Sequence, residues 1–468
     1  MEKQYIETLL AQIREKRARE CIRTEVAGHI LDQKACYIAC GMSDEQAEAQ
    51  AVADMGDPVE TGIALDEIHR PKPAWGMLAA IAVLCAAGVL LQFAAYVNDP
   101  DAQMGRYFYQ SQLLYAVCGF FLLCSIYLVD YTKIAKYSRY LCTGILVLLS
   151  LAAVSDTTLF PRPYPQASLN IGFFKDLLFP DILNTLLEFI HLDAGRLIAL
   201  NVFFYLYLPL YGAVLYSYRK CSTKKLLPIF LYTALPIFLS SQLTHASVRM
   251  NLAVILFLML GTAVRKGWFP LPAVKAKYLL FTGIAGIFTL LTVCSSGYQR
   301  IRIQAWLRPA SFEGSEGYLH GMIRHLLRHS QLIGKNTSGL PAYDLPGYTT
   351  DYIVSYTIST FGFLAAALLI FIVVLLGVKL LRLSVLQKNQ LGMMMGLGCS
   401  LAFVIQSAEY ILVNLALLPA SSLYLPLISF GGSNMLQTCV LLGILLSIYR
   451  YENVVAEPLP AAGSSAVL

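Results

Sequence analysis

The sequence predicts an all-α, polytopic membrane protein with about ten transmembrane helices and a small N-terminal helical domain. Of the 468 residues, 57% are hydrophobic and 14% are charged, whereas soluble domains contain about 25% charged residues. From Trp75 onward, apolar runs recur that are long enough to cross a hydrocarbon core, which takes about 20 residues. The formal net charge of +6 is interpreted as charge in cytoplasmic loops, so no nucleic-acid partner is expected.

Residues 1–72 are polar and predict a cytoplasmic domain of three helices. The first helix is an amphipathic run that begins at Glu15 and stops near Gly41. Ser43 begins the second helix in a capping-box pattern, and the third helix follows Pro58. The segment resembles the cytoplasmic prefix domain of some bacterial permeases, which implies a regulatory or docking module. A solubilising cap without a partner is the alternative.

Residues 73–452 predict the transmembrane domain, and residues 453–468 predict a flexible cytoplasmic tail. The polar N-terminus lacks an apolar signal-peptide core, so the first spanning helix is expected to direct insertion. The ten predicted spans lie near residues 75–97, 107–129, 138–155, 197–217, 226–242, 249–264, 278–296, 352–378, 392–417 and 431–449.

Lysine and arginine in the short loops predict the orientation, because these residues accumulate on the cytoplasmic side. Both termini are assigned to the cytoplasm on this basis, and residues 297–351 then form a large extracellular loop. The short loops assigned to the cytoplasm lie near residues 133–139, 219–225, 265–277 and 379–388.

The extracellular loop contains cations that include Arg324, Arg328 and Lys335. They could form a solvated or headgroup-binding face, or they could bind an anionic substrate such as a lipid pyrophosphate, since arginine suits bidentate phosphate contacts. His325 and His329 have the i,i+4 spacing of a zinc pair, but no glutamate lies between them and no acidic ligand is near. An interfacial basic helix is therefore favoured over a metal site. The eleven cysteines show no metal signature either.

Asp351 is the strongest candidate for chemistry. It lies where the extracellular loop meets an apolar helix. A carboxylate at the mouth of a spanning helix costs free energy unless water, a cation or a task compensates. Capping of that helix is the alternative role, although Thr349 or Thr350 could cap it equally well.

A second unusual stretch, from Leu425 to Ser433, reads LPLISFGGS. Proline and a Gly-Gly pair interrupt a helix, and in a bilayer such an interruption persists only where protein or water covers it. The pattern predicts a packed re-entrant or helix-entry turn at a membrane face.

These motifs resemble those of the SEDS family, the shape, elongation, division and sporulation proteins that include FtsW, RodA and SpoVE. The stretch from Leu425 to Ser433 is similar to the family's P-L-[PF]-[FIV]-S-[YF]-G-G-S signature, and Thr350-Asp351-Tyr352 is similar to its T-D-[FY] tripeptide. Gly334-Lys335-Asn336 resembles its G-K-G segment. Asp193-Ala194-Gly195-Arg196-Leu197 resembles its S-E-x-A-K-L motif, in which an acid and a base three residues apart can pair on one helix face.

The resemblance implies a peptidoglycan glycosyltransferase that polymerises lipid II into glycan strands at the outer face of the bacterial cytoplasmic membrane, in division, elongation or sporulation. It implies Asp351 as the catalytic residue, and a class B penicillin-binding protein and membrane lipids as further partners. No cofactor is identified; a divalent cation could assist, but no ligand set indicates one. Ser429, Gly431 and Gly432 are expected to shape the backbone rather than to react. The residues implied in substrate binding are Asp193, Arg196, Arg324, Arg328, Lys335, Ser429, Gly431 and Gly432.

Two departures from the family pattern indicate a divergent branch. The family's Q-P-D-L-G-T-A segment maps onto residues 242–248, which lack its Asp, and A-E-E-L-G maps onto residues 358–362, which lack both Glu. These losses leave a catalytically inactive scaffold of the cell-wall machinery as one alternative. A lipid-linked precursor flippase or other transporter is the other, because broken helices and buried charge also serve transport.

Overall fold

The computed structural model describes residues 1–98, 102–159, 200–220, 226–269, 283, 297–308, 317–452 and 454. Regular structure within these residues is helical, which confirms the predicted all-α class. The chain divides into two compact units. The first contains Met1–Ala74, Gln387–Gly392 and Ser447–Leu468, and the second contains Trp75–Leu386 and Met393–Leu446. The predicted tail, residues 453–468, lies outside the described residues except for residue 454.

The first unit begins with four helices, where the sequence pattern predicts three. They are α1 Glu2–Gln12, α2 Lys16–Ala39, α3 Asp44–Asp54 and α4 Pro58–His69. The additional helix α1 forms because apolar residues such as Tyr5, Ile6 and Leu9 recur at helical spacing and are buried together. Ser43 caps α3 by accepting a hydrogen bond from the backbone amide of Gln46, at the position that the capping-box pattern indicates.

The helices from Trp75 onward form the membrane body. Seven of them, α5, α6, α10, α11, α15, α16 and α17, are long and apolar enough to cross a membrane. In chain order the helices are α5 Trp75–Asn98, α6 Ala102–Leu128, α7 Tyr131–Lys136, α8 Ser138–Leu159, α9 Asn201–Ser217, α10 Leu226–Leu243, α11 Ala246–Arg265, α12 Gly297–Leu307, α13 Tyr318–Arg328, α14 Ile353–Phe361, α15 Phe363–Val385, α16 Gln390–Asn414 and α17 Gly432–Arg450.

Eight of the predicted spans coincide with helices α5, α6, α8, α9, α10, α11, α16 and α17. Two of these are short, since the apolar part of α8 is Ser138–Ala153 and α9 has 17 residues. The predicted span near residues 278–296 lies outside the described residues apart from residue 283.

The predicted continuous span at residues 352–378 is wrong, because the chain breaks at Gly362. Gly362 has a φ of +94°, and a Cβ there would lie 2.6 Å from the carbonyl oxygen of Leu332. Only glycine adopts that backbone conformation without strain and leaves room for the neighbouring chain. The nine residues of α14 are about 14 Å long at 1.5 Å per residue, about half the hydrocarbon thickness. The spanning helix here is α15.

The helices of the membrane body differ in how much protein surrounds them. In the most apolar 18-residue window, 72% of residues in α16 and 67% in α17 are buried, against 33% in α5 and 28% in α6. Helices α16 and α17 are therefore central, and α5 and α6 leave apolar surface for lipid. Asp351 lies just before the start of α14. The stretch that begins at Leu425 connects α16 to α17.

Candidate active site

The signature turn, residues 425–432, is a buried non-helical turn, as the Pro and Gly-Gly pattern predicts. Leu427 has a φ of +70°. The amides of Ile428 and Ser429 donate to the carbonyl oxygen of Leu425 at 3.2 and 3.1 Å. The Ser429 hydroxyl is fully buried and accepts from the Leu425 amide at 3.1 Å. This serine therefore closes the turn and is positioned to shape the backbone.

Buried glutamines from α5 and α6 satisfy the carbonyl groups of the turn and of the segment beside it. Gln112 lies within 3.5 Å of the carbonyl oxygen of Ile428 and within 3.4 Å of that of Ser429. Gln92 donates to the carbonyl oxygen of Thr349 at 2.9 Å. The Phe430 amide donates to the same oxygen at 3.0 Å. The signature turn is thereby bonded to the segment that carries Asp351, two residues from Thr349.

Close packing explains the second glycine of the signature. A Cβ on Gly432 would lie 2.6 Å from the ring of Tyr115 on α6. On the other side of the turn, a Cβ on Gly88 of α5 would lie 2.6 Å from the carbonyl oxygen of Leu427. The backbone of α5 thus lies against the backbone of the turn, and the Tyr115 ring of α6 lies against Gly432, so a larger side chain at either glycine prevents this packing.

Tyr410 and Asn414 of α16 cap the beginning of α14, so capping is not the role of Asp351. The Ile353 amide donates to the Tyr410 hydroxyl at 2.9 Å, and the Ser355 amide donates to Oδ1 of Asn414 at 3.0 Å. The Tyr410 hydroxyl donates in turn to the carbonyl oxygen of Thr350 at 2.9 Å. These two side chains satisfy donors that would otherwise lack partners at a helix start.

The Asp351 carboxylate faces the loop between α16 and the signature turn. The Ser422 hydroxyl lies 3.1 Å from each of its oxygens, and the Leu423 amide donates to Oδ1 at 3.2 Å. Asp351 itself is half-buried, whereas Ser422 is exposed. Asn414 donates to the backbone oxygen of Asp351 at 3.0 Å. The carboxylate is thus fixed at its base and open on the side of Ser422.

Burial raises the pKa of Asp351 to about 6. The hydrogen bonds from Ser422 and Leu423 and the positive charge of Arg302 oppose that effect, because each favours the ionised carboxylate. A carboxyl with this pKa is ionised near neutral pH and still accepts a proton readily. This is the property that a general base requires.

Arg302 is the cation whose charge acts on Asp351. It lies on α12 and donates from Nη2 to the carbonyl oxygen of Ala420. Burial lowers the pKa of His245, and the charge of Arg302 lowers it further. The sequence shows Arg302 only as one cation among several in the extracellular loop, since proximity to Asp351 depends on how α12 packs.

Helix α13, which carries the predicted basic residues, packs near the start of α14 and the end of α16. Its buried residues Met322 and Ile323 pack in one cluster with Tyr352 and Val413. Arg324 and His325 are half-buried, and Arg328 and His329 are exposed. Burial lowers the pKa of His320 to about 4, so His320 adds no positive charge at neutral pH. The cationic character of α13 comes from its arginines.

The structure brings some predicted site residues together and says nothing of others. Lys335 lies in the strap, residues 331–336, which contacts the break between α14 and α15 through backbone hydrogen bonds. Asp193 and Arg196 lie outside the described residues. Within the described part of the chain, no group of three or more His, Cys, Asp or Glu side chains could hold a metal ion.

The sequence analysis missed most of the side chains that hold Asp351. Ser422, Tyr410 and Asn414 lie in or beside an apolar helix and carry no local signal, since their roles depend on contacts with a segment about 60 residues earlier in the chain. Glu409 did carry a signal. It is an acid within a predicted span, and such residues indicate function by default.

Fold and site together define a multi-pass membrane protein with a polar site built on a turn between its central helices. Residues 198–454, more than half of the chain, match the model of the cell cycle protein family of FtsW, RodA and SpoVE. The chain belongs to this family. The SEDS resemblance of its motifs is thereby confirmed.

Individual relatives support the same conclusion. The chain is 25% identical to the "Probable peptidoglycan glycosyltransferase FtsW" of Geobacter sulfurreducens over 389 residues, which cover 80% of this chain and 93% of that protein. It is 30% identical to the protein of the same name from Synechocystis sp. over 192 residues, or 40% of this chain and 49% of the relative. The chain thus spans about half the length of that relative.

A solved structure shows the fold. A chain from a study of polymerization and crosslinking by a peptidoglycan synthase complex superimposes with a TM-score of 0.60 and 17% sequence identity, and the match covers 81% of this chain and 98% of that one. At this identity the likeness concerns the fold alone.

Proposed function

We propose that this protein is a peptidoglycan glycosyltransferase that polymerises lipid II into glycan strands, with Asp351 as its general base. The observation that carries the proposal is the Asp351 carboxylate itself. It is freed from helix capping by Tyr410 and Asn414, it is open on the side of Ser422, and its pKa is about 6. Membership of the FtsW, RodA and SpoVE family and the names of the relatives supply the reaction class.

In the proposed reaction, ionised Asp351 accepts the proton of the 4-hydroxyl of the acceptor sugar. That oxygen forms a bond to the anomeric carbon of the donor sugar as the bond from this carbon to the pyrophosphate oxygen breaks. The leaving undecaprenyl pyrophosphate takes the electron pair, and the proton remains on Asp351. Ser422 and the Leu423 amide hold the carboxylate in place for this transfer.

Negative charge develops on the leaving pyrophosphate, and cations near the site would stabilise it. Arg302 is the cation whose charge reaches Asp351. Arg324, Arg328 and Lys335 on α13 and the strap, with Arg196, are further candidates for binding the pyrophosphate. Arginine suits this role because its planar donors match phosphate oxygens.

The proposal includes an orientation and partners. The charges of the short loops support an orientation with both termini in the cytoplasm of a bacterial cell and with Asp351 at the outer face of the cytoplasmic membrane. Residues 1–72 would form a cytoplasmic regulatory or docking domain, and residues 453–468 a tail. Because the structural relative belongs to a complex that both polymerises and crosslinks, a class B penicillin-binding protein is the proposed partner, beside lipid II and membrane lipids.

An inactive scaffold is a second candidate, since three acidic residues of the family pattern are absent, one from the first segment and two from the second. Thr244 occupies the first of these positions, and its hydroxyl donates to the carbonyl oxygen of Ser240 within the same chain segment. Ser359 and Thr360 occupy the other two positions and are buried. A scaffold would bind its partner and form no glycan.

A lipid II polymerisation assay distinguishes these candidates. The purified protein, with and without a class B penicillin-binding protein, should form glycan ladders, and Asp351→Asn should reduce the rate by about 10²–10⁴-fold, the usual contribution of a general base. Asp344→Asn is the matched control, because Asp344 is an exposed acid seven residues away and should leave the rate unchanged. Undiminished ladders from Asp351→Asn would refute the assignment of Asp351. No ladders from folded wild-type protein would favour the scaffold, or a flippase if vesicles show lipid II translocation.

A further inference from the structure

Glu409 is a carboxylate within a spanning helix that the proposed reaction leaves without a role. It lies on α16, five residues before Asn414, or about 7.5 Å along the helix axis at 1.5 Å per residue. Ionisable residues in spanning helices are costly, and they persist where they are paired or have a task. Its position close to the Asp351 end of α16 suggests a task in the same site.

The contacts of Glu409 connect it to the loop that holds Asp351. The Asn251 side-chain amide donates to Oε2 of Glu409 at 2.6 Å. The Ser247 hydroxyl, one helical turn before Asn251 on α11, also faces the Glu409 carboxylate. Ser247 in turn hydrogen-bonds to the hydroxyl of Ser421. The neighbour of Ser421 in the chain is Ser422, which donates to Asp351.

The charge of Glu409 determines which hydroxyl donates to which. An ionised carboxylate only accepts, and a serine hydroxyl has a single proton to donate. With Glu409 ionised, the Ser247 proton turns toward the carboxylate, which leaves Ser421 to donate to Ser247. The Glu409 carboxylate thereby sets which way the hydroxyl protons of both serines point.

Each residue of the serine loop, residues 420–423, has a separate contact that fixes it. The carbonyl oxygen of Ala420 accepts from Arg302, and Ser421 bonds to Ser247. Ser422 and Leu423 donate to Asp351. The contacts that start at Glu409 reach the serine loop at Ser421. Losing the bond between Ser247 and Ser421 therefore frees the neighbouring Ser422.

We infer that Glu409 is a positioning residue for Asp351, which acts through Ser247 and Ser421 to hold Ser422 against the catalytic carboxylate. This inference rests on the proposed function for its kinetic consequences, although the coupling of the two carboxylates does not require turnover. Glu409 supplies no proton to the reaction and touches no substrate.

Other ionisable groups that act on the two carboxylates are Arg302 of α12, Tyr352, Tyr410 and, on the Glu409 side, Tyr205. The phenols stay neutral near pH 6. Burial and the charge of Arg302 lower the pKa of His245, two residues before Ser247, so the labelling of Asp351 described below assigns a change near pH 6 to that carboxyl. Because the Ser422 hydrogen bond favours ionised Asp351, its loss raises the pKa of that carboxyl.

The first test is the pH–rate profile of lipid II polymerisation for Glu409→Leu. The acidic limb of the profile should move upward by about one pH unit, since a hydrogen bond to a charged group has about that effect on a pKa. The rate should fall about tenfold below pH 6 and approach the wild-type rate at alkaline pH. Glu409→Gln, which keeps an acceptor oxygen, should shift the limb less. An equal loss at every pH would show a merely structural role, and an unshifted profile would show none; either overturns the inference.

Two variants guard against a folding defect. Ser247→Ala breaks the series without touching the helix that carries Glu409 and should reproduce the upward shift. Ala408→Leu, on the exposed side of α16, is the matched control and should leave the profile at its wild-type position. A shift in Ala408→Leu, or no shift in Ser247→Ala, would contradict the proposed route.

A second measurement separates this inference from the proposed function. Water-soluble carbodiimides modify protonated carboxyls, so the pH midpoint of Asp351 labelling, followed by mass spectrometry, reports its pKa without turnover. Glu409→Leu and Ser247→Ala should raise this midpoint by about one pH unit. If the midpoint rises in a protein that makes no glycan, the coupling holds and the proposed function fails. An unchanged midpoint refutes the coupling whatever the activity.

Discussion

The signature turn and the Gly362 break, two interruptions of helical structure within the described residues, are satisfied in different ways. At the signature turn, side chains from neighbouring helices, such as Gln112 and Tyr410, bond to backbone groups and to Ser429. At the Gly362 break, another piece of backbone does so. The strap accepts from the amides of Phe363 and Leu364 at 3.0 Å.

The difference concerns what a single substitution can remove. In a membrane, each unsatisfied backbone group costs free energy, so both interruptions need partners. Backbone partners persist when a side chain changes, and only a side chain that displaces the strap can break them. Side-chain partners can be removed one at a time, each at a modest cost. The break should therefore be sensitive to substitution of Gly362. Each substitution around the signature turn should lower the stability of the protein by a smaller amount.

Gly362→Ala should have the largest effect on stability. Its Cβ would lie 2.6 Å from the Leu332 carbonyl oxygen, at a φ of +94°. Strain and overlap together should cost about 3 kcal/mol or more. Thermal unfolding in detergent measures this loss. Gly144→Ala is the control, because a Cβ there meets nothing within 4 Å; it should be neutral or stabilise by up to about 1 kcal/mol. Equal stability of both variants would show that the strap moves away and makes room for the added Cβ.

Asn414→Ala should have an intermediate effect at the turn. It removes the partner of the Ser355 amide, in a buried hydrogen bond, and the donor to the Asp351 backbone oxygen, in a partly buried one. The cost should be about 2 kcal/mol, with loss of polymerisation because Asp351 moves. Denaturant titration and the glycan assay measure the two effects. Asn98→Ala is the control, since Asn98 bonds only to Ala94 within its own helix among the contacts described for it. An active Asn414→Ala protein would contradict the positioning of Asp351.

Gln112→Leu should have the smallest effect, about 1 kcal/mol. Its two hydrogen bonds to the turn are long, at 3.4 and 3.5 Å. Its Oε1 has no hydrogen-bond partner among the described residues, so the apolar replacement also relieves a buried acceptor. Gln110→Leu, on the exposed side of the same helix, is the matched control in thermal unfolding. A loss above about 3 kcal/mol would show that the turn depends on α6 as strongly as the break depends on the strap.

The signature turn could be predicted from sequence because proline and paired glycines have local backbone consequences. The break at Gly362 could not, because a lone glycine in an apolar run is compatible with a continuous helix. Its need for a positive φ arises from the strap, which is close only in the folded chain. Helix α1, by contrast, is within reach of sequence analysis, since Tyr5, Ile6 and Leu9 show helical spacing.

The sequence by itself determined the helical class, most of the spans, the turn and the candidate carboxylate at residue 351. These follow from composition, periodicity and local backbone preferences, which act over a few residues. Tertiary structure alone decided that Tyr410 and Asn414 cap α14, that Arg302 is the cation acting on Asp351, and that Ser422 holds its carboxylate. Hydrogen bonds and charge effects fall off over a few ångströms, so only packing decides which distant residues take part in them.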